Sequence, residues 1–198
     1  MEAFVSKKHN TFSDGLALTA INRIAKSLRK ACENSQDHAA RSEMMLAATE
    51  AGIAFSNASV TLIHGMSRPI GAMFHVPHGM SNAILAPAVT AFSLPGAVSR
   101  YAQVARAAEF APLTGTSDED AAAVLPIGLH HLCKDLKVPR LCEFGKGGIS
   151  REAFIKVVPK MAADALGSGS PNNNPIVPSA KQVETLYTDI YSGSVSSF

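Results

Sequence analysis

An all-helical bundle is the fold class this sequence predicts, and three observations carry it. Apolar residues recur at i, i+3, i+4 and i+7 in segment after segment, the period of one face of a helix. Those segments are rich in Ala, Leu, Met and Glu, which lose little rotamer freedom in a helix. They are separated by Asn, Asp, Ser, Gly and Pro at positions that cap or stop helices. With 198 residues, 46% hydrophobic and only 17% charged, the chain is long enough for one buried core and too apolar for disorder. We therefore expect residues 1–198 to form a single helical domain.

Taken in order, Met1 to Lys8 is short and amphipathic and reads as the tail of a helix. Thr11-Phe12-Ser13-Asp14 has capping-box spacing, with Asp for the usual Glu, and Ile21, Ile24, Ala25, Leu28 and Cys32 follow on one face. That predicts a helix over 12–33. Asn34 to Asp37 supply a turn and a cap, and 39–55 is a second helix expected to pair antiparallel with the first. Residues 58–72 form a third, apolar nearly all round and so central, with Pro69 as a kink. Val76-Pro77 breaks it, because the residue before proline is pushed out of helical geometry, and His78 opens the next helix through Ile84 and Leu85.

Leu94-Pro95-Gly96 is a connector, after which Val98, Tyr101, Val104, Ala105 and Ala108 mark another helix. Ser117 to Asp120 is a second capping candidate. Leu125, Leu129, Leu132 and Leu136 follow on one face, with Pro126 as an irregularity of the first turns, and Val138-Pro139 stops that helix. Gly145-Lys146-Gly147-Gly148 is a loop without the spacing of a phosphate cradle. Ser150 caps a helix that turns Phe154, Val157, Val158 and Met161 inward, 167–178 is a polar loop, and Ser179 to Gln182 cap a last helix bearing Val183, Leu186, Tyr187 and Ile190. No internal repeat or second domain is visible.

Charge and cysteine content narrow the function. The net charge is +2 and the basic residues are scattered, so the electrostatic footprint of a nucleic-acid binder is missing. Cys32, Cys133 and Cys142 are odd in number and unpaired in spacing, which suggests neither a disulfide framework nor a thiolate zinc site. No apolar run reaches the eighteen or so residues needed to span a bilayer, and the N-terminal residues lack the apolar core of a signal peptide. We expect a cytoplasmic protein, or a mitochondrial one if its source is eukaryotic, with no membrane partner.

Chemistry concentrates in residues 62–83, where three of the seven histidines stand among glycines and prolines. His64 and His78 are fourteen residues apart, about 21 Å along one straight helix, so a continuous helix could not bring them together. Pro69, Gly71, Pro77 and Gly79 allow a reversal, after which two imidazoles from adjacent helices could face one ion. A histidine in a helix's first turn meets the positive end of the dipole, which favours the neutral ring that ligates. Two imidazoles suit Zn, Fe, Ni or Cu. The bland alternative makes His64 a core residue bonded to a carbonyl, with His75 and His78 on the surface.

The run Val60-Thr61-Leu62-Ile63-His64-Gly65-Met66-Ser67-Arg68-Pro69-Ile70-Gly71, with Val76-Pro77-His78-Gly79-Met80-Ser81-Asn82-Ala83-Ile84-Leu85-Ala86-Pro87, closely resembles the metal-binding signature of iron-containing (group III) alcohol dehydrogenases. Glu2 to Ser6, Asp14 to Leu18 and Asn174-Pro175 look like segments of the same family. The resemblance implies the C-terminal helical domain of the dehydroquinate synthase-like fold, packed in the family against a Rossmann-like domain that holds NAD(P). It implies Fe(II), with Zn in some relatives, bound by one aspartate and three histidines, His64 and His78 matching the last two. The implied reaction interconverts a small alcohol and its aldehyde.

Departures accompany the match. The family's Asp-x-x-x-His motif would end just before Met1, and the nucleotide-binding half does not appear in these residues. His9 lies ten positions beyond that missing ligand, roughly 15 Å along a helix, and Asp14 is farther. Asn34-x-x-x-His38 has the spacing but offers an amide for a carboxylate. Arg68 stands where many relatives carry a histidine that helps move protons; His75 is the nearby candidate for that relay, balanced by a reading as a surface hydrogen bonder. Adjacent His130 and His131 point apart on a helix and make no joint site. The isolated chain is expected to be inactive as a dehydrogenase. A noncatalytic helical interaction module, associating through an apolar surface or as a homo-oligomer, is the alternative from another class. A metal hydrolase is weaker, since no H-E-x-x-H is present.

Overall fold

The computed structural model describes residues 1–193 and shows nine α-helices and no strand among them. They are α1 (Glu2–Val5), α2 (Thr11–Glu33), α3 (His38–Ala58), α4 (Leu62–Phe74), α5 (His78–Ser93), α6 (Val98–Ala107), α7 (Asp118–Asp135), α8 (Arg151–Gly167) and α9 (Ala180–Ser192). The all-helical expectation holds. Some boundaries differ from those the sequence predicts. Asn10, not Thr11, caps α2: its side chain accepts from the Ser13 amide while Ser13 Oγ accepts from the Asn10 amide. That reciprocal pair is a capping box with serine in the glutamate position. Ser117, Ser150 and Ser179 each cap their helices by accepting from the amide three residues on. Pro126 lies in the interior of α7, well past its first turns, and is buried there.

Two apolar cores divide the helices. One is built from α4, α5, α8 and α9, around Leu62, Met66, Ile70, Leu85, Phe154 and Tyr187. The other joins α1, α2, α3, α6 and α7, around Phe4, Ala54, Tyr101, Val104 and Leu125. Helix α4 is central, as its composition predicts, with Leu62, Met66 and Ile70 fully buried. Met1 packs against both cores, so the chain's first turn lies at the seam between them.

Side-chain hydrogen bonds fix how the helices meet. Tyr187 donates its hydroxyl to the Met66 carbonyl at 2.7 Å, tying α9 to α4, and Tyr191 donates to the Ile149 carbonyl at 2.8 Å. Residues 167–178 are less solvated than their polarity suggests. Asn173 and Asn174 are buried, Asn173 Nδ2 donating to Ser59 Oγ and the Val60 carbonyl, and Asn174 Nδ2 to Ser93 Oγ and the Ile176 carbonyl. Their amides satisfy groups where α3 and α5 end (Ser59, Val60 and Ser93) and the loop's own Ile176 carbonyl. No single described helix is long and apolar enough to cross a membrane; α3 and α4 together reach that composition but bend by 107° where they meet.

Candidate metal centre

Helix α4 begins at Leu62, so His64 occupies its first turn, and its path is shaped by a proline that lacks a backbone donor and a glycine that lacks a side chain. Pro69 lacks the N–H that would bond the Gly65 carbonyl. Gly65 has no side chain because Pro171 packs against it: a Cβ there would lie 2.8 Å from Pro171 Cγ. At the other end His75 adopts the left-handed conformation, φ 56° and ψ 28°, and donates its amide to the Gly71 carbonyl. The chain then doubles back, with the Val76 carbonyl passing over Gly71, where a Cβ would sit only 3.3 Å away. Pro77 caps α5 and places His78 at its first residue.

This reversal brings the His64 and His78 rings together, centroid to centroid 5.1 Å and inclined by 60°. A pair of imidazoles at that separation, from two helices, is the arrangement the spacing and the Pro/Gly set allowed. His78 Nε2 lies 3.1 Å from Asn82 Nδ2, which places the Asn82 amide against the ring. Partial desolvation, then the charges of His64 and Arg68, push the His78 imidazolium below the ordinary histidine value, partly offset by Glu2. The neutral ring that ligation requires is therefore favoured. Asn82 Oδ1 is buried without a hydrogen-bond partner, a polar atom at the edge of the pair with its bonding capacity unspent.

Glu2 is the residue that reading the sequence did not single out. Its carboxylate is buried, 8% exposed. Oε1 accepts from the Thr61 amide (3.0 Å), the Thr61 hydroxyl (2.6 Å) and the Ile63 amide (2.9 Å), and Oε2 meets His64 Nδ1. Burial pushes this carboxyl up, but the hydrogen bonds from His64 and Thr61 with the His64 charge outweigh it and hold the group below the usual glutamate range. Thr61, the N-cap of α4, makes no side-chain cap of its own. Glu2 supplies the missing acceptor from a different helix and sets a negative charge at the positive end of the α4 dipole. The signal in the sequence was a lone acid in an otherwise apolar first turn; its partners lie some sixty residues away.

Helix α1 is only four residues long and is held by tertiary contacts. Phe4 is buried, and the Arg100 guanidinium stands 3.9 Å from its ring centroid while donating to the Phe4 carbonyl at 2.6 Å and to Asp14 at 2.6 Å. Asp14 also pairs with His9 at 3.2 Å, so those two residues are committed to each other and to Arg100. Arg68 is exposed and donates to Ser170 Oγ at 3.1 Å. His75 is exposed at the far end of α4 from His64, and the His130 and His131 rings are tilted 6.2 Å apart on α7.

Among the described residues no cluster of three or more His, Cys, Asp or Glu side chains is gathered for an ion. The centre consists of two imidazoles, one oriented by a buried carboxylate. A groove of about 330 Å³ opens beside it, lined by Ile21, Ile24, Phe55, Ile63, His64 and Asn82 among others. Two imidazoles and a carboxylate behind one of them fit half of the coordination sphere of a borderline divalent metal.

Comparison with known proteins identifies the family. Residues 1–191 match the model of the Fe-containing alcohol dehydrogenase family, C-terminal. The chain is 32% identical over 198 residues to an NADPH-dependent butanol dehydrogenase of Clostridium saccharobutylicum, covering 100% of this chain and 49% of that protein. It is 30% identical over 191 residues to a 1,3-propanediol dehydrogenase of Klebsiella pneumoniae, covering 96% and 48%. A crystal structure of a 1,3-propanediol oxidoreductase superposes with a TM-score of 0.87 at 30% identity, covering 96% of this chain and 48% of that one. An iron-containing alcohol dehydrogenase from Thermococcus thioreducens gives 0.81 at 32% identity, covering 97% and 47%. The chain spans about half the length of the relatives it matches. Its helical fold and these matches together place it in the iron-containing alcohol dehydrogenase family, as that family's C-terminal domain.

Proposed function

We propose that these residues form the metal-binding half of an NAD(P)-linked alcohol dehydrogenase that interconverts a small alcohol and its aldehyde. The observation that carries the reading is the 5.1 Å approach of His64 and His78. In this proposal each ring gives one nitrogen to Fe(II), or to Zn(II). When bound, such an ion supplies a Lewis acid that polarises the substrate oxygen, while nicotinamide takes or gives the hydride.

The chain's own residues do the rest. Glu2 holds His64, the Asn82 amide stands against the His78 ring, and the apolar groove beside them admits a short aliphatic substrate and sheds water. His75 is the proton-relay candidate in this proposal, at the exposed turn between the two ligand helices; His75→Gln should slow proton release with metal binding unchanged. The nicotinamide cofactor, the remaining ligands and a cytoplasmic setting belong to this same reading. With two ligands and no nucleotide site described, the 198 residues alone should not turn over. Alcohol-dependent reduction of NAD(P) by the purified chain tests this; turnover above background, lost in His64→Ala, would refute it.

A second reading, a noncatalytic interaction module, is favoured by one observation: Met45, Leu46 and Ile53 stand exposed on the outer face of α3. Calorimetric titration with Fe(II) and Zn(II) separates the two. Stoichiometric binding lost in His64→Ala and in His78→Ala supports the dehydrogenase half-site, and no binding supports the module.

A further inference from the structure

We propose that Glu2 is a positioning residue that fixes His64 in the tautomer whose Nε2 is free to bind a metal ion. The proposal rests on the metal reading above but stands on separate geometry. The Glu2 carboxylate divides its work between its two oxygens. Oε1 takes four donors from the start of α4: the Thr61 amide, the Thr61 hydroxyl, the Ile63 amide and, more distantly at 3.4 Å, the His64 amide. With those in place, Oε2 faces His64 Nδ1, and among the described residues no other donor reaches it.

A buried carboxylate can only accept from a neutral imidazole, so Nδ1 must carry the proton and Nε2 the lone pair. The same contact fixes the ring's orientation. Such a carboxylate behind a ligating histidine raises the basicity of the ring and removes the entropy of finding the right pose. Because Glu2 simultaneously caps α4, the helix that carries His64 and the ring itself are registered to a single side chain. Helix α1 is in turn locked by the Phe4–Arg100 contact, so the carboxylate cannot drift.

Glu2→Gln tests this. The donors on one side force the amide oxygen to take the Oε1 position, since three of the four are backbone N–H groups that cannot accept. The amide nitrogen then points at His64 Nδ1 as a donor. His64 must move its proton to Nε2, and the lone pair meant for the metal is gone. Long-range 1H–15N correlation spectra of the imidazoles, recorded well above the ordinary histidine range, read the tautomer directly.

The parent chain should show a protonated Nδ1 at His64, and the Gln variant a protonated Nε2, with Zn(II) binding weakened about 10- to 100-fold. Thr61→Ala, which removes one donor to Oε1 but leaves Oε2 on the ring, should keep the parent tautomer and affinity. A bare Nδ1 on His64 in the parent overturns the proposal, as does a Gln variant with unchanged tautomer and unchanged Zn(II) affinity. If the parent binds no Zn(II), the metal reading fails while the parent's tautomer still decides the role of Glu2. Should Glu2→Gln not fold, the parent spectrum and Thr61→Ala carry the decision.

Discussion

Arg100→Ala should loosen the whole centre from a distance, because one guanidinium holds the short helix that carries Glu2. Three contacts are lost together. The charge-assisted hydrogen bond to the Phe4 carbonyl at 2.6 Å is worth about 1.5 kcal/mol. The stacking over the Phe4 ring at 3.9 Å adds about 0.5–1 kcal/mol. The pair with Asp14, with side chains 23% and 21% exposed, adds about 0.5 kcal/mol. The sum, about 2.5–3 kcal/mol, corresponds to roughly 5–12 °C in Tm for a chain of this size. Arg100→Lys should recover only the ion pair, since an ammonium cannot both stack on the ring and fork between the Phe4 carbonyl and Asp14. Urea unfolding with a common slope for the three proteins measures this. A loss under about 0.5 kcal/mol for Ala, or full recovery by Lys, would refute the reasoning that α1 is held by this residue.

Other expectations follow from the same geometry. Tyr187→Phe removes the buried bond to the Met66 carbonyl and should cost about 1 kcal/mol in denaturant unfolding, with the fold intact by circular dichroism. Gly65→Ala gains helix propensity of about 1 kcal/mol but drives a methyl to 2.8 Å from a rigid Pro171 ring atom; overpacking of about 1–3 kcal/mol should win, lowering Tm. Asp118 is held below the usual aspartate range by hydrogen bonds from Arg106 and Ser99. A carboxyl lowered on folding contributes stability that is full above its unfolded value and lost as pH falls through its folded one. Asp118→Asn should therefore lower Tm at neutral pH, and the gap should close as acid protonates the parent's carboxyl; a constant gap across that range would contradict the assignment.

Much of this was legible locally. Helix periodicity, the serine caps at Ser117, Ser150 and Ser179, and the Val76-Pro77 break are interactions within a few residues of one another, and the sequence displays them directly. The approach of His64 and His78 could be argued as feasible because the reversing residues lie between them. Glu2, Arg100, Asn173 and Asn174 were illegible for the opposite reason. Each makes bonds to residues roughly sixty to more than a hundred positions away, and nothing in a run of neighbours marks which buried carbonyl or helix start will lack a partner. The N-cap moved from Thr11 to Asn10 because two overlapping sets of cap-forming residues compete there and the pairing of Asn10 Nδ2 with the Asn57 carbonyl favours one of them.

The most direct test is where a metal sits. Crystals of the chain soaked in Zn(II), with an anomalous difference map at the zinc edge, should show one peak about 2.0–2.1 Å from a nitrogen of His64 and from a nitrogen of His78. A peak elsewhere, or none with both rings well ordered, would contradict the claim that these two imidazoles form half of a metal site.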